Sequence, residues 1–210
     1  MHTTAQKIAH HLLQVSAVKL NTDKHFTWAS GWYSPIYCDN RLTLSFVEVR
    51  NEIRNELANL IKTHYPDAEV IAGVATAGIP QAALVADQLG LPLVYVRSAA
   101  KGHGMQNLIE GRVETGQKVV VIEDLISTGG SSLKAAQALQ EAGANVQAMV
   151  AVFTYGFEVA NQNFAQANIP LHTLSDYNTL INVALAEQYI STNDVASLQE
   201  WRKAPEIWKK

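Results

Sequence analysis

After residue 45, the hydrophobic positions of the chain alternate between the spacing of a helix and the spacing of a strand. Apolar residues recur every three or four positions in the predicted helices, at residues 46–65, 79–89, 133–142 and 157–167. Short apolar, β-branched runs between them predict strands at residues 70–75, 93–97, 119–122, 146–153 and 171–174. Strands separated by helix-length segments predict an α/β fold, a parallel sheet with helices on both faces.

The two ends of the chain follow a different pattern. A helix is predicted over residues 5–17, and alternating aromatic residues over 26–33 predict a short hairpin. Another helix is predicted over residues 193–202, where Trp201 and Trp208 are expected to be packing residues.

Chemically active side chains collect where the predicted strands end. Ligands of a parallel sheet bind outside the carboxyl ends of its strands. Four predicted strands end at such residues, namely the turn 76–78, Arg97, Glu123 with Asp124, and Tyr155. We therefore expect the binding site at this edge of the sheet.

The segment 98–117 lacks a sustained hydrophobic period over about twenty residues, longer than most connections in a compact domain. It carries Lys101 and His103 between glycines. By itself this pattern allows two interpretations, a surface loop with incidental charges or a lid over a neighbouring site.

Composition limits the classes of function. The chain has 210 residues, of which 48% are hydrophobic and 17% charged, as in soluble globular proteins. Sixteen basic and nineteen acidic residues give a net charge of −3, so no overall field draws the chain to nucleic acid or to a membrane. With a single cysteine, Cys38, and no signal-like N-terminal stretch, a cytoplasmic protein is expected.

The most informative motif follows the strand predicted over 119–122. Glu123 and Asp124 come first, and residues 127–132 then form a loop of serine, threonine and glycine before the next helix. Such a loop presents unpaired backbone N–H groups and the positive end of the helix dipole to an anion. Gly129 permits close approach of the backbone. The pattern indicates a phosphate site, but neither a P-loop nor a dinucleotide fingerprint is present.

Glu123 and Asp124 would repel a phosphate, so another group must face them. Adjacent ribose hydroxyls fit, because ionised carboxylates accept hydrogen bonds from them, and a magnesium ion would offset the excess negative charge. The alternative interpretation is a glycine-bearing helix cap after a buried strand, with two solvated acids.

The motif resembles the 5-phosphoribosyl-1-diphosphate (PRPP) signature of the type I phosphoribosyltransferases. Three further stretches, at residues 26–41, 73–80 and 95–104, are similar to orotate phosphoribosyltransferases in the same order. The similarity covers about residues 20–155, too long for a chance match of one short motif. It implies one domain over 1–210 with a hood at approximately 1–45, a core at approximately 46–190 and a C-terminal helix at approximately 191–210.

The resemblance implies transfer of the phosphoribosyl group from PRPP to orotate, giving orotidine 5′-monophosphate and pyrophosphate, with Mg²⁺ bound mainly through PRPP. Cations around the diphosphate would stabilise its departing charge, and the candidates are Arg97, Lys101 and His103. The segment 98–117 is then expected to be a catalytic lid. PRPP is expected to contact Arg97, Lys101, His103, Glu123, Asp124, Leu125, Ile126, Ser127, Thr128, Gly129, Gly130 and Ser131.

Orotate carries a carboxylate, which favours a planar cation in its pocket. Arg41 is the candidate, with Tyr37 against the ring and Ser127 as a hydrogen-bond donor. Arg41 fits equally well as a structural ion-pair partner of Asp39 or Glu48.

The sequence also departs from one branch of the family. That branch has lysines where this chain has Ala29 and Ala77, and an arginine near the position of Tyr155. The contacts that those residues make in that branch cannot be assigned to this chain. The resemblance therefore specifies fewer residues for the orotate site than for the PRPP site.

The sequence is also compatible with two other functions. One is a phosphoribosyltransferase for another nucleobase, and the other is a PRPP-sensing regulator without catalysis. The family resemblance implies a homodimer in which the loop with Lys101 and His103 completes the neighbouring subunit's site. PRPP and orotate are the expected partners, with no nucleic acid and no membrane.

Overall fold

The computed structural model describes residues 2–28, 31–99 and 108–209. The helices are α1 (Thr4–Gln14), α2 (Val47–His64), α3 (Gly78–Leu89), α4 (Gly130–Glu141), α5 (Glu158–Gln166), α6 (Tyr177–Ala186) and α7 (Thr192–Lys203), with a short 3-10 helix at Asn40–Ser45. The strands are β1 (Val18–Leu20), β2 (Phe26–Thr27), β3 (Tyr33–Ser34), β4 (Ile36–Cys38), β5 (Val70–Val74), β6 (Leu93–Val96), β7 (Ile109–Glu110), β8 (Lys118–Ile126), β9 (Asn145–Thr154) and β10 (Leu171–Asp176). None of the helices in the described ranges is long and apolar enough to cross a membrane.

The chain divides into two compact units. The core unit comprises Arg50–Leu174, and the terminal unit comprises Met1–Val49 together with Ser175–Lys210.

The sheet of the core unit confirms the predicted α/β fold. Over the described residues its strand order is β10-β9-β8-β5-β6-β7. Strand β5 pairs in parallel with both β6 and β8, and β8 pairs in parallel with β9. The antiparallel strand β7 lies at the edge, with Ile109 opposite Val96. It belongs to the segment predicted without regular structure, where two residues are too few to show a period.

Strand β5 shows how helices cover both faces of the sheet. Val70, Ala72 and Val74 belong to one buried cluster with side chains of α4 and α5. On the opposite face, a Cβ added to Gly73 would lie 2.9 Å from Ala82 Cβ of α3. Alternate residues of one strand therefore contact different helices, which is why the strand is apolar throughout.

Two predicted boundaries were wrong in the same region. Strand β8 was expected over 119–122 but continues to Ile126, which lies opposite Thr154 of β9. The next helix was expected from residue 133 but begins at Gly130. The acidic pair interrupts the apolar run, yet the backbone ladder with β9 continues through it, because pairing of main-chain groups does not require apolar side chains.

Helix α6 lies outside the predicted elements, although the sequence carries its signals. Its buried residues follow helical spacing, and Asp176 caps it by accepting a hydrogen bond from Thr179 N at 3.1 Å. The predicted helix over 5–17 ends earlier, at Gln14, because Ser16 has a positive φ of 56°.

In the terminal unit, the predicted aromatic hairpin is present as β2 and β3, with Phe26 opposite Ser34. Trp201 of α7 is fully buried, and its indole N–H donates to Tyr33 O at 3.1 Å. Its ring meets that of Trp28 edge-on, with centroids 5.5 Å apart. The packing role predicted for Trp201 is confirmed, and the C-terminal helix supports the hairpin.

Candidate active site

The loop predicted to bind phosphate is shorter than expected and ends on a helix. Only Ser127–Gly129 separate β8 from α4, and Gly129 caps the helix with φ 79°. Gly130 and Ser131, predicted as loop residues, form the first turn of α4. Their backbone N–H groups are among those a helix leaves without intrahelical partners, so the loop can cradle an anion.

Helix α5 holds this loop from behind. Asn163 Nδ2 donates to Thr128 O at 3.0 Å. A Cβ added to Gly129 would lie 2.7 Å from Phe164 Cε2, so no larger residue fits at this position. Asn163 and Phe164 were absent from the predicted site because they lie a helix and a strand away in sequence, with no local motif that marks them.

The acidic pair lies inside β8, not at its end as predicted. Glu123 is 6% exposed, whereas Asp124 is half-buried. Glu123 Oε1 accepts from Asp124 N at 3.0 Å, and Ser132 Oγ donates to Glu123 Oε2 at 2.9 Å. Leu125 and Ile126 continue the pairing with β9. The strand thus presents Asp124 as the more accessible carboxylate, with Glu123 anchored beneath the surface.

Burial and a neighbouring charge control the ionisation of Glu123. Desolvation, followed by the charge of Asp124, raises the pKa of Glu123 to about 8. Two adjacent carboxylates in a partly dry position do not both ionise easily. The pair therefore carries less negative charge near neutral pH than its sequence suggests.

The turn between β5 and α3 lies against the same part of β8. A Cβ added to Gly78 would lie 2.6 Å from Ile122 O and 3.4 Å from Glu123 Oε1. Only glycine permits this approach. The turn, which contains Thr76 and a cis peptide bond between Ala75 and Thr76, is thereby brought beside the acidic pair.

Arg97 directly follows β6 and supplies a positive charge at the carboxyl ends of the parallel strands. Its backbone N–H donates to Leu108 O at 2.8 Å. Its Nη1 lies 3.6 Å from Glu110 Oε1 and, within the part of the chain that is described, is a buried nitrogen without a hydrogen bond. Lys101 and His103 lie outside the described residues, so the lid stays a prediction.

The predicted base-binding side chains lie in the terminal unit. Tyr37 of β4 is 41% exposed, and its ring centroid is 5.7 Å from that of Phe26. Arg41 donates from Nε to Asp39 Oδ1 at 2.7 Å and from Nη2 to Asp39 Oδ2 at 2.9 Å. This pairing lowers the pKa of Asp39. Of the two alternatives for Arg41, the ion pair with Asp39 is therefore present.

No group of three or more His, Cys, Asp and Glu side chains in residues 2–28, 31–99 and 108–209 is arranged to hold a metal ion. Mg²⁺ keeps an octahedral shell of oxygen ligands. It is usually bound by one or two carboxylates together with substrate oxygens, and rarely by an all-protein cage.

Comparison with known proteins agrees with this geometry. A sequence profile described as phosphoribosyl transferase domain matches residues 47–163. The chain is 59% identical over 205 residues to the orotate phosphoribosyltransferase of Cytophaga hutchinsonii, with 98% of each chain covered. It is 57% identical over 201 residues to that of Bacillus subtilis, with 96% of this chain and 93% of the relative covered.

Solved structures show the same fold. The crystal structure of orotate phosphoribosyltransferase from Aeropyrum pernix superimposes with a TM-score of 0.76 at 28% identity, covering 88% of this chain and 99% of that chain. Family profile, near full-length relatives and three-dimensional fold agree with one another and with the order of the sequence motifs. This chain belongs to the orotate phosphoribosyltransferase family.

Proposed function

We propose that the chain transfers the 5-phosphoribosyl group of PRPP to orotate, producing orotidine 5′-monophosphate and pyrophosphate for pyrimidine synthesis in the cytoplasm. The observation that carries the proposal is the arrangement at the end of β8. The acidic pair, Glu123 and Asp124, lies near the end of β8, and two residues further on the three-residue loop Ser127–Gly129 opens onto the N-terminus of α4. A sugar diol and a phosphate on one ligand match these two features.

PRPP binds with its two ends on different loops. The 5′-phosphate accepts hydrogen bonds from the loop Ser127–Gly129 and the first turn of α4, with added donors from the hydroxyls of Ser127, Thr128 and Ser131. The ribose hydroxyls donate to the acidic pair, chiefly to the more accessible Asp124. The diphosphate then faces the turn before α3 and the guanidinium of Arg97.

Catalysis requires charge stabilisation rather than a protein nucleophile. As the bond from C1 to the diphosphate breaks, the ribose gains oxocarbenium character and the leaving group gains negative charge. Arg97, Lys101 and His103 stabilise that charge more strongly than they stabilise the ground state. Arg97 supports this role, since its buried Nη1 has no hydrogen bond within the described part of the chain. His103 acts either as a charge or as a proton donor to pyrophosphate.

Orotate is the nucleophile, and its ring nitrogen attacks C1. Tyr37 provides an exposed aromatic face for the ring, and Ser127 donates a hydrogen bond. Arg41 binds the orotate carboxylate if its guanidinium is shared with, or released from, Asp39. Closure of the segment around Lys101 excludes water, which would otherwise compete with orotate.

Mg²⁺ would be bound mainly through PRPP, beside Glu123 and Asp124. When bound there, it supplies positive charge that offsets the diphosphate. The described residues fit this arrangement, because both oxygens of Glu123 already accept hydrogen bonds, from Asp124 N and Ser132 Oγ. Asp124 is the carboxylate that we assign to the ribose diol.

Turnover assays test the proposal. The protein is incubated with PRPP and Mg²⁺ and with orotate, uracil, adenine or xanthine, and nucleotide formation is measured. Of the four bases, we expect only orotate to be converted to its nucleotide. Turnover with another base and not with orotate would show that the protein is a phosphoribosyltransferase for that base. PRPP binding without any turnover would favour a PRPP-sensing regulator.

We also propose a homodimer in which the loop containing Lys101 and His103 completes the partner's site. In that case Lys101→Ala and Asp124→Asn damage different parts of each site. At PRPP concentrations far below saturation each variant alone has only a small fraction of wild-type activity, but mixed subunits form heterodimers with one intact site. Activity should recover to roughly a quarter of wild type under statistical exchange. Heterodimers that form without recovering activity would show that the loop serves its own subunit.

A further inference from the structure

Both carboxylate oxygens of Glu123 accept hydrogen bonds from the protein. Oε1 accepts from Asp124 N at 3.0 Å, and Oε2 accepts from Ser132 Oγ at 2.9 Å. Ser132 is itself only 2% exposed. It lies in the first turn of α4, just beyond the residues predicted to contact PRPP.

The same carboxyl group also lies beside the turn before α3. A Cβ added to Gly78 would be 3.4 Å from Glu123 Oε1 and 3.3 Å from Glu123 Cα. Glu123 thus lies between two separate loops. One is Ser127–Gly129 at the start of α4, and the other is the turn that ends at Gly78.

The rotamer of Glu123 therefore affects how far apart these loops lie. A buried carboxyl group with a free oxygen is costly, so loss of its donor forces the side chain or its surroundings to rearrange. A rearrangement is expected to move the start of α4 or the turn at Gly78, because Ser132 is hydrogen-bonded to the group and even a Cβ added to Gly78 would lie 3.4 Å from Oε1. A displacement of about 1 Å is enough to weaken the interactions of a ligand held at both ends.

We propose that Ser132 is a positioning residue for PRPP: by holding Glu123 Oε2, its hydroxyl sets the relative placement of the two loops that bind the two ends of this substrate. The inference rests on the proposed function, which assigns the phosphate to one loop and the diphosphate to the other. Ser132 acts through Glu123 and does not touch the ligand.

The test compares PRPP binding in wild type, Ser132→Ala and Ser132→Thr. Removal of the hydroxyl is expected to raise the PRPP Kd, measured by calorimetry without base, roughly tenfold. In turnover assays the PRPP KM rises by a similar factor, while the orotate KM stays unchanged. Ser132→Thr keeps the hydroxyl and restores most of the affinity.

Ser175→Ala is the matched control. Ser175 is 1% exposed, and its hydroxyl donates to Ala5 O at 2.8 Å in the terminal unit. This variant loses a comparably buried hydrogen bond and should lose a comparable amount of thermal stability. Its PRPP Kd should equal that of wild type, which separates positioning from general destabilisation.

A double mutant decides whether Ser132 acts through Glu123. In a Glu123→Gln background, Ser132→Ala should add little further loss, whereas independent effects would multiply and overturn the proposal. If Ser132→Ala does not fold, Ser132→Cys fills a similar space with a weaker donor and should raise the PRPP Kd by an intermediate factor.

Wild-type PRPP affinity in a folded Ser132→Ala or Ser132→Cys variant overturns the inference. Failure of the proposed function gives a different result, because the wild-type protein itself would then bind PRPP without converting orotate, or would not bind PRPP.

Discussion

The loop at the end of β8 and the segment 34–41 of the terminal unit are two proposed binding sites of different construction. In the loop, the groups that face a ligand are mainly backbone N–H groups, held by buried contacts from behind. In the segment 34–41, the candidate groups are exposed side chains, with Tyr37 41% exposed and Arg41 already paired with Asp39. The first site is built into the fold, whereas the second depends on side chains that can change partners.

This difference explains which substrate each region suits. A phosphate and a ribose diol have fixed geometry, so a rigid loop at a helix N-terminus binds them without rearrangement. A planar base with a carboxylate is recognised by ring contact and a bidentate cation, which side chains provide. We therefore expect backbone changes to disable the PRPP site and side-chain changes to adjust the base site.

The largest effect is expected from Gly129→Ala. The residue has φ 79°, and its new Cβ would lie 2.7 Å from Phe164 Cε2. The loop must shift, and a displacement of this kind costs about 100-fold in activity. Measuring kcat/KM for PRPP checks the expectation.

Gly90→Ala controls for backbone strain alone. Gly90 also has a positive φ, 66°, but nothing lies within 4 Å of an added Cβ. This variant should lose about 1–2 kcal/mol of stability and keep its PRPP KM. Equal activity losses in the two variants would mean that strain, and not the placement of the loop, is responsible.

Asp124→Asn should weaken PRPP binding about 10- to 100-fold, because a charge-assisted hydrogen bond to the diol becomes a neutral one. Calorimetric titration with PRPP measures the change. Asp87→Asn on the exposed part of α3 is the control and should bind PRPP as wild type does. Unchanged affinity in Asp124→Asn would remove this residue from the sugar site.

Arg41→Lys tests the proposed orotate site in the segment 34–41. If the guanidinium binds orotate, the orotate KM should rise roughly tenfold while the PRPP KM stays constant, since lysine lacks the bidentate geometry. Asp39→Asn is the informative partner variant, because it frees Arg41 without removing it. If neither change moves the orotate KM, Arg41 has only the structural role seen in its pair with Asp39.

The smallest effect concerns stability and pH. Burial, with the charge of Asp124, raises the pKa of Glu123 from 4.5 to about 8. Between these values the folded protein keeps a proton that the unfolded chain has released, so this group lowers the unfolding free energy as pH rises. The glutamine side chain in Glu123→Gln is neutral at every pH, so the unfolding free energy of this variant lacks that decrease. Its Tm should match that of wild type near pH 5 and exceed it by several degrees near pH 9.

Thermal unfolding of both proteins at several pH values tests this expectation. The difference between the two Tm values is the relevant quantity, because other titrating groups affect both proteins equally. A difference that stays constant from pH 5 to pH 9 would contradict a raised pKa for Glu123.

The order of the core elements and the location of the PRPP motif follow from the sequence alone. Periodicity predicted the strands of the sheet, except for β7, because a buried parallel strand must be apolar on both faces. The motif was identifiable because a phosphate loop is local: its strand, glycines and helix start lie within residues 118–132.

The residues that pack behind that motif are evident only in the folded structure. Glu123 was expected at the end of a strand, in contact with a ribose, but it is buried inside β8, accepts a hydrogen bond from Ser132 and lies beside Gly78. The loop is braced by Asn163 and Phe164. None of these contacts follows from spacing, since each joins residues from different elements. Local sequence specifies which backbone groups a helix start exposes, whereas burial and ionisation depend on which distant side chains the fold brings together.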